Sequence, residues 1–527
     1  MFIGNKPVVV LNSWKVIKEA FERPEFSGRP GNFSGTFFQK GKTGITTTEG
    51  KHWSSQRTFL VEYLDKVTGS NNQGFQDIMM DEVSDLKLDL TKKLSEPIAV
   101  SYKLNVCIIN ILWSLACGRK LHAQQQEFQT VYECVDKITQ FMSRAAIFSF
   151  LPILTKILPE SVTKIEKGRY YRNRFHEISE KWIREHRQEY RGNRTGDLQD
   201  SYLDHVNKGE VTFNEQGLSA MLREIFIIGS ESESVMLRWA LRILSCNVEV
   251  QKKVQAELDD VFGRGVDVTW DKKGDLPYTM AVIKEIQRFA DIAPTGLMHK
   301  TVCDASLQGY NLPANTLIMA NFSYCHRDPE LWTHPDQFYP EHFLDNGKLV
   351  INKEGFMPYG IGSRICPGKE LADMEEDINI TALSVNFTSF LAEDYNVLKV
   401  NVDSLFLIVM GIIVFLMQCG FALLEAGAVR SKNTVNILIK NMLDCLIGGL
   451  FYWAFGWGFA YGEGDNGFIG TSQFFSVGLD HADYPSWFFQ FVFAATTATI
   501  VSGSIAERCS MTAYFMYSIL LTGKNSV

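Results

Sequence analysis

Cys366 is the residue whose surroundings most clearly call for chemistry. It lies between Arg364 and Gly368 in "YGIGSRICPGKELADMEED" (359–377), a glycine-rich turn that leads into a helical pattern and then into a string of acids. Taken alone, it is one more isolated thiol. The 10 cysteines are scattered without a CxxC pair, which argues against a disulfide framework or a zinc site.

A second candidate is a polar interruption in an otherwise apolar helical pattern. The pattern runs over 213–262, and its centre, 224–243, is apolar on most sides, which predicts a core helix. Gly229 to Ser234 interrupts that centre with glycine, serine and glutamate. A polar break inside a buried helix indicates either a solvated notch or a site.

Two residue pairs, one of opposite charges and one of an aromatic ring with an arginine, have helical spacing. Glu285 and Arg288 are three residues apart in "KEIQRF", and Trp53 and Arg57 are four apart in "HWSSQRTF", so each pair shares a helix face. Each is a weak signal alone, because such pairs are usually a surface salt bridge or an aromatic packed on a solvated arginine.

These residues lie in a pattern that is mostly helical with a few short strands. "KPVVVLNS" predicts a strand and "SWKVIKEAFER" a helix. The length of 527 residues predicts two or more domains. The excess of 60 Asp and Glu over 52 Lys and Arg argues against nucleic-acid binding, and no signal-peptide pattern is evident at the start of the sequence.

The last quarter of the sequence has a different composition. Residues 401–527 contain long apolar runs, of which 402–424 is long enough to cross a bilayer. Two further spans and part of a fourth follow. Glu425 and Asp444 lie within or beside these spans, where a carboxylate needs a partner.

In their order and spacing, the motifs of residues 1 to about 375 resemble the cytochrome P450 family of heme-thiolate monooxygenases, most closely its animal microsomal branch. "AVIKEIQRFADIAP" and "FMPYGIGSRICPG" carry the resemblance most clearly. It implies a mainly α P450 fold with small β-sheets. A partial α-helical transmembrane bundle would follow that domain.

The resemblance implies heme b as cofactor, with Cys366 as the iron ligand. A thiolate supplies the electron density that dioxygen cleavage needs, and the turn's N–H groups and the following helix start favour the anion. Gly360 would let the backbone approach the porphyrin, and Glu285 and Arg288 would form the family's structural ion pair. The propionate donors would be Arg364, Trp53, Arg57 and His299.

The resemblance places Ser232 and Glu231 where the family relays protons to dioxygen. The substrate would be a small apolar organic molecule, and electrons would come from NADPH through NADPH-cytochrome P450 reductase. Four residues depart from the family pattern: Tyr359 replaces a phenylalanine, Ser232 a threonine, Glu233 a second hydroxyl residue and His342 an arginine.

Both ends of this region also depart from the family. The sequence starts inside the pattern, without the family's N-terminal membrane anchor and hinge. The apolar helix expected after Cys366 loses its pattern after about Glu375. These features predict a P450 domain truncated at both ends.

Residues from about 379 to 527 resemble the N-terminal third of an ammonium transporter, in segments such as "FALLEAGAVRSKNTVNILIKN" and "WFFQFVFAATTATIVSGSIAERC". The resemblance implies ammonium as the transported species and the lipid bilayer as surroundings. It places Phe493 at the family's outer phenylalanine gate. The alternative is a packing or lipid-facing aromatic.

The predicted division is 1–375 for the P450 domain, 376–400 for a junction and 401–527 for the transporter spans. Arg430, Lys432 and Lys440 predict a cytoplasmic first loop, and sequons at Asn379 and Asn386 agree with an outer N-terminus. A cytosolic reductase requires the opposite side for residues 1–400. The location would be a membrane, endoplasmic reticulum or plasma membrane. A transporter with a passive heme domain and a non-functional chimeric product remain alternatives.

Overall fold

The computed structural model describes residues 2–3, 6–31, 43–69, 73–91, 100–119, 125–189, 196–263, 270–383, 392–462, 470–479, 483–505, 513 and 516. It forms two compact units, Met1–Leu391 and Ala392–Val527.

Unit 1 is mainly helical, as its sequence predicts. Its described helices are α1 (Trp14–Phe21), α2 (Gly50–Thr68), α3 (Gln73–Thr91), α4 (Val100–Cys117), α5 (Gln126–Phe150), α6 (Leu154–Ile157), α7 (Glu160–Thr163), α8 (Ile165–Glu189), α9 (Leu198–Asn207), α10 (Glu215–Glu224), α11 (Ser230–Cys246), α12 (Val248–Phe262), α13 (Pro277–Ala290), α14 (Phe322–His326) and α15 (Lys369–Leu383).

The strands of unit 1 are short. They are β1 (Phe2–Ile3), β2 (Lys6–Leu11), β3 (His299–Lys300), β4 (Ala305–Leu307), β5 (Tyr310–Leu312), β6 (Leu317–Ala320), β7 (Leu344–Asp345) and β8 (Lys348–Leu349). One sheet has the order β1-β2-β6-β3, and β4-β5 and β7-β8 are hairpins. β2 pairs in parallel with β6, and α1 buries Ile17, Ala20 and Phe21 at helical spacing, so its apolar face closes this small core.

The central helix is α10 and α11 joined by a π-helical turn, Ile225–Gly229. Asn214 begins it as the N-cap, its side chain accepting the Gly217 N–H at 2.8 Å. The sequence pattern predicts one continuous helix to about residue 262. The structure instead ends α11 at Cys246, and Asn247 leaves helical geometry before α12. The polar interruption Gly229–Ser234 spans the end of the π turn and the start of α11.

α15 remains helical beyond about Glu375, where the sequence loses its apolar pattern. It continues to Leu383, and Glu375 and Glu376 are buried within it, only 1% and 2% exposed. Asn379 is also fully buried, and its amide donates to the Glu375 carbonyl, which closes this sequon to modification in the folded chain. Asn386 lies outside the described residues.

Unit 2 consists of long apolar helices: α16 (Ala392–Ala428), α17 (Thr434–Phe451), a π turn (Tyr452–Gly456), α18 (Trp457–Tyr461) and α19 (Tyr484–Ile505). Among the described residues, three helical segments are long and apolar enough to cross a membrane: Val100–Cys117, Asp403–Ala428 and Ser431–Tyr461. The first is α4, whose apolar window is 67% buried inside unit 1, so it is a core helix there. The predicted partial fourth span lies almost wholly outside the described residues.

Polar side chains inside unit 2 have partners on neighbouring helices. Glu425 is buried and accepts a hydrogen bond from Asn441 of α17 at 2.9 Å. Gln418 of α16 and Thr499 of α19 bond at 2.8 Å. Lys440, expected in the first loop, is instead a buried residue of α17, so that loop owes its positive charge to Arg430 and Lys432.

Candidate functional site

A cavity of about 390 Å³ lies inside unit 1. The central helix, α2, the start of α15 and the turn that carries Cys366 all contribute side chains to its wall. Much of the lining is apolar, including Leu60, Leu112, Ile228 and Leu371. The polar lining residues are concentrated at three places: the cysteine turn, a group of arginines and the polar interruption of the central helix.

The cysteine turn is shaped by its own backbone. The Cys366 N–H donates to the Tyr359 carbonyl at 3.0 Å, and the Ile365 N–H donates to the Gly362 carbonyl at 3.1 Å. The Cys366 side chain is accessible, and it lines the cavity rather than lying on the outer surface. The surrounding protein atoms desolvate the thiol, and this desolvation raises its pKa. The Gly368 N–H lowers the thiol pKa, as the sequence predicts for the N–H groups of the turn, and Arg57 also lowers it, but the two do not outweigh desolvation. A bound metal cation would reverse the balance, because it deprotonates a coordinating thiol.

Three arginines meet at one side of the cavity. The Arg364 guanidinium lies 3.7 Å over the Trp53 ring and donates to the Ser27 and Thr48 carbonyls at 2.8 and 2.7 Å. Desolvation lowers the pKa of Arg364 to about 9 and that of Arg29 to about 10, and it also lowers the pKa of Arg57. Buried cations of this kind indicate an anionic ligand group nearby.

Unpaired donors identify the side that this anion would occupy. Within the described part of the chain, Arg29 Nε and Trp53 Nε1 are buried without a hydrogen-bond partner. The Glu49 carboxylate, which lies beside Arg29, already accepts the Arg29 backbone N–H and pairs with Lys300. These donors therefore fit a group that brings its own carboxylates, such as the propionates of heme.

His299 lines the same side of the cavity, and its ring is fixed by two neighbours. Its ring stacks on Phe21 with centroids 3.8 Å apart, and Nδ1 lies 2.8 Å from the Phe26 carbonyl. Nδ1 must be the donor to a carbonyl, so Nε2 of the neutral ring is an acceptor. Desolvation, then Arg29, lowers the His299 pKa to about 3. His299 can donate to a propionate only once a neighbouring anion has raised that pKa.

The central helix brings one of the two predicted proton-relay residues to the cavity. Ser232 lines it, with Oγ donating to the Ile228 and Gly229 carbonyls at 2.9 and 3.2 Å. Among the described residues that line the cavity, Glu231 is absent. Its carboxylate lies 3.7 Å from Arg238 and is 35% exposed. Glu233 lies in the wall instead, buried, and desolvation raises its pKa strongly.

Glu285 and Arg288 form a fully buried ion pair, with two contacts of 2.7 and 2.8 Å. Arg288 also donates to the carbonyls of His326, Pro335 and Gln337. His342 completes this network, although the family pattern has arginine there. Its Nε2 accepts the His334 N–H, which leaves Nδ1–H to donate to Glu285 at 3.2 Å.

Residues 1–411 match the sequence model of the family Cytochrome P450. The chain belongs to the cytochrome P450 family. A segment of the Ammonium Transporter Family follows, over residues 405–526.

Similar proteins support the family assignment. Cytochrome P450 2L1 of Panulirus argus is 31% identical over 396 residues, which cover 73% of this chain and 80% of that protein. Human Cytochrome P450 2J2 is 32% identical over 394 residues, 73% of this chain and 77% of the relative. Human Cytochrome P450 2U1 is 30% identical over 412 residues, 75% and 73% of the two chains.

Sequence reasoning missed two residues of the P450 cavity. Arg29 follows a loop without a recognisable motif, and only the fold brings it beside Arg364 and Arg57. Glu233 departs from the family pattern in the sequence, but that departure does not predict its burial in the cavity wall. Its place after Ser232 in the polar interruption was the available signal.

The two glycines of the P450 cysteine turn have different neighbours, which predicts different tolerance to substitution. Gly360 and Gly362 have φ of 75° and 77°. A Cβ at Gly360 would meet only Phe322, at 3.8 Å, whereas one at Gly362 would lie 2.0 Å from the Phe21 carbonyl oxygen. Gly362 therefore lets the turn approach the end of α1 closely.

We expect Gly360→Ala to cost about 1–2 kcal/mol, the penalty of a left-handed L-residue, and Gly362→Ala clearly more. Thermal denaturation of the two variants measures the difference. Equal midpoints would show that the close approach of Gly362 to α1 is not required.

Proposed function

We propose that unit 1 is a heme-thiolate monooxygenase that inserts one atom of dioxygen into a small apolar organic substrate. The observation that carries the proposal is that Cys366 and the unpaired donors Arg29 Nε and Trp53 Nε1 line one cavity. A thiol and a cationic rim are the two features that a thiolate-ligated heme requires.

In this proposal Cys366 holds the iron of heme b, and Arg29, Arg57, Arg364 and Trp53 hold its propionates. Bound heme supplies an iron centre that activates dioxygen, and a thiolate ligand makes that iron electron-rich. The Ser232 hydroxyl lies in the cavity wall, and in this proposal its Oγ proton belongs to the relay that delivers protons to dioxygen. The apolar lining excludes water and favours an apolar substrate. The electrons would come from NADPH through NADPH-cytochrome P450 reductase at a membrane of the endoplasmic reticulum or the cell surface.

The experiment is heme incorporation by the full-length chain in detergent. We expect hemin to bind and, after reduction to ferrous heme with dithionite under carbon monoxide, to show the red-shifted Soret band of a thiolate-ligated complex. Cys366→Ser is expected to abolish that band, and Cys303→Ser, an exposed cysteine of the same unit, to leave it unchanged. A wild-type chain that stays colourless with hemin, or a Cys366→Ser variant with an unaltered band, would overturn the proposal.

For unit 2 we propose ammonium transport as a second function, because residues 405–526 match that family. We also propose the division into residues 1–375, a junction at 376–400 and spans from 401. Phe493 of α19, 43% exposed and 5.0 Å from the Phe489 ring, stays a predicted gate residue. Ammonium uptake by a transport-deficient host tests the function. Uptake no better than in the empty host would leave unit 2 as a membrane anchor.

A chimeric product without either activity is the remaining alternative. Sequencing transcripts across residues 371–385 tests it directly. If one protein carries both units, we expect transcripts that continue through this stretch. If no transcript crosses it, the proposal that one chain has both functions is contradicted.

A further inference from the structure

Four polar side chains from three elements meet behind the cysteine turn. Gln287 of α13 donates from Nε2 to the Tyr359 hydroxyl at 3.0 Å and to Glu376 at 2.8 Å. The Tyr359 hydroxyl donates to Asp373 of α15 at 2.9 Å and lies 3.4 Å from the other Glu376 oxygen. We call Gln287, Tyr359, Asp373 and Glu376 the tyrosine clamp.

Tyr359 connects the tyrosine clamp to the cysteine. Its backbone carbonyl accepts the Cys366 N–H at 3.0 Å, while its side chain is fixed by α13 and α15. The neighbour of Gln287 in α13 is Arg288, which is fixed by the buried ion pair with Glu285. The clamp therefore joins the cysteine turn to a helix that cannot easily shift.

Burial makes the hydrogen bonds of the clamp hard to replace. Gln287 is 3% exposed and Glu376 2%, so solvent cannot take the place of a partner lost by either side chain. Asp373 is the more accessible acceptor, with a side chain 26% exposed that also pairs with Lys369 at 3.3 Å. A buried acceptor left without a donor costs more than the bond itself contributes, whereas removing donor and acceptor together can be nearly neutral.

We propose that Tyr359 is a positioning residue for Cys366, held by Gln287, Asp373 and Glu376. The inference rests on the proposed role of Cys366 as iron ligand. It also explains two departures from the family pattern together. A phenylalanine at 359 has no hydroxyl to donate, so the tyrosine and the acids of α15 require each other.

The test compares Tyr359→Phe, the double change Asp373→Ala with Glu376→Leu, and the triple combination, in the full-length chain loaded with hemin. We expect Tyr359→Phe to speed heme transfer to excess apomyoglobin by roughly tenfold to a hundredfold, the effect of leaving buried polar groups without a hydrogen-bond partner. The triple variant is expected to recover most of that loss. Tyr324→Phe, an exposed tyrosine, is the matched control.

A Tyr359→Phe variant that keeps the wild-type rate and the wild-type Soret band of the carbon monoxide complex would overturn the inference. A triple variant that is worse than Tyr359→Phe would do the same. If the wild-type chain binds no hemin, the proposed function fails, and the clamp is then judged on thermal midpoints of the heme-free variants. Coupled effects of the Tyr359 and α15 changes would support it, and additive ones would contradict it.

Discussion

Replacing Arg288 by methionine is expected to lower the free energy of unfolding of unit 1 by about 3–5 kcal/mol, the cost of removing one partner of a buried ion pair. Arg288 and Glu285 are both fully buried. The change leaves the buried Glu285 carboxylate without its guanidinium partner, with the His342 ring and the Tyr339 N–H as the remaining neighbouring donors among the described residues. It also leaves three backbone carbonyls, those of His326, Pro335 and Gln337, without the donor that joins them to α13.

Arg169→Met provides a matched control. Arg169 pairs with Glu166 at the same three-residue helical spacing, but the two side chains are 48% and 68% exposed. An exposed pair is worth about 0–1 kcal/mol, so this variant should unfold close to the wild type. Thermal and denaturant unfolding of both variants measures the contrast. Equal losses for the two arginines would contradict the structural role assigned to the buried pair.

The stability of unit 1 is expected to fall as pH rises from about 4.5 to about 8. Burial raises the pKa of Glu375 and of Glu376 from 4.5 to about 8. In the unfolded chain these carboxyls ionise near their ordinary value. The folded state thus binds more protons between the two pKa values, and the free energy of unfolding decreases as pH increases through that range.

Glu376→Gln tests this dependence. The amide has nearly the same shape and no charge to ionise, so its thermal midpoint should exceed the wild-type value at about pH 9 and lie close to it at about pH 5. Glu249→Gln, an exposed residue of α12 paired with Lys252, is the control and should follow the wild-type profile. A wild-type midpoint that does not decline towards alkaline pH would contradict the buried, protonated state of these carboxyls.

The sequence predicts which residue types form this site better than it predicts which side chains of the central helix face the cavity. Cys366, the pair of Glu285 and Arg288, and the family itself follow from motifs of local spacing. The side of the helix taken by Glu231 and Glu233 does not, because the π turn Ile225–Gly229 adds a residue to one turn and shifts every following side chain around the helix. A regular 3.6-residue period therefore cannot determine which carboxylate faces the cavity.

Partners that are distant in sequence account for the other differences. In the sequence, the acids of α15, among them Asp373 and Glu376, argue against a core helix, because a carboxylate in a buried helix is costly unless it is paired. Their partners, Tyr359 and Gln287, precede them by 14 to 89 residues, and no local pattern connects these positions. The same reason hid Arg29, which reaches the other arginines only in the folded chain.

α4 has a consequence for the synthesis of the chain. Its mean hydropathy is 1.4, against 1.3 for Ser431–Tyr461 in unit 2, so an insertion machinery that samples apolarity meets a suitable segment early in translation. Composition does not separate the two segments. Burial does separate them, because 67% of the α4 window is covered by the rest of unit 1, against 28% for Ser431–Tyr461, so the packing of the neighbouring helices is what makes α4 a core helix.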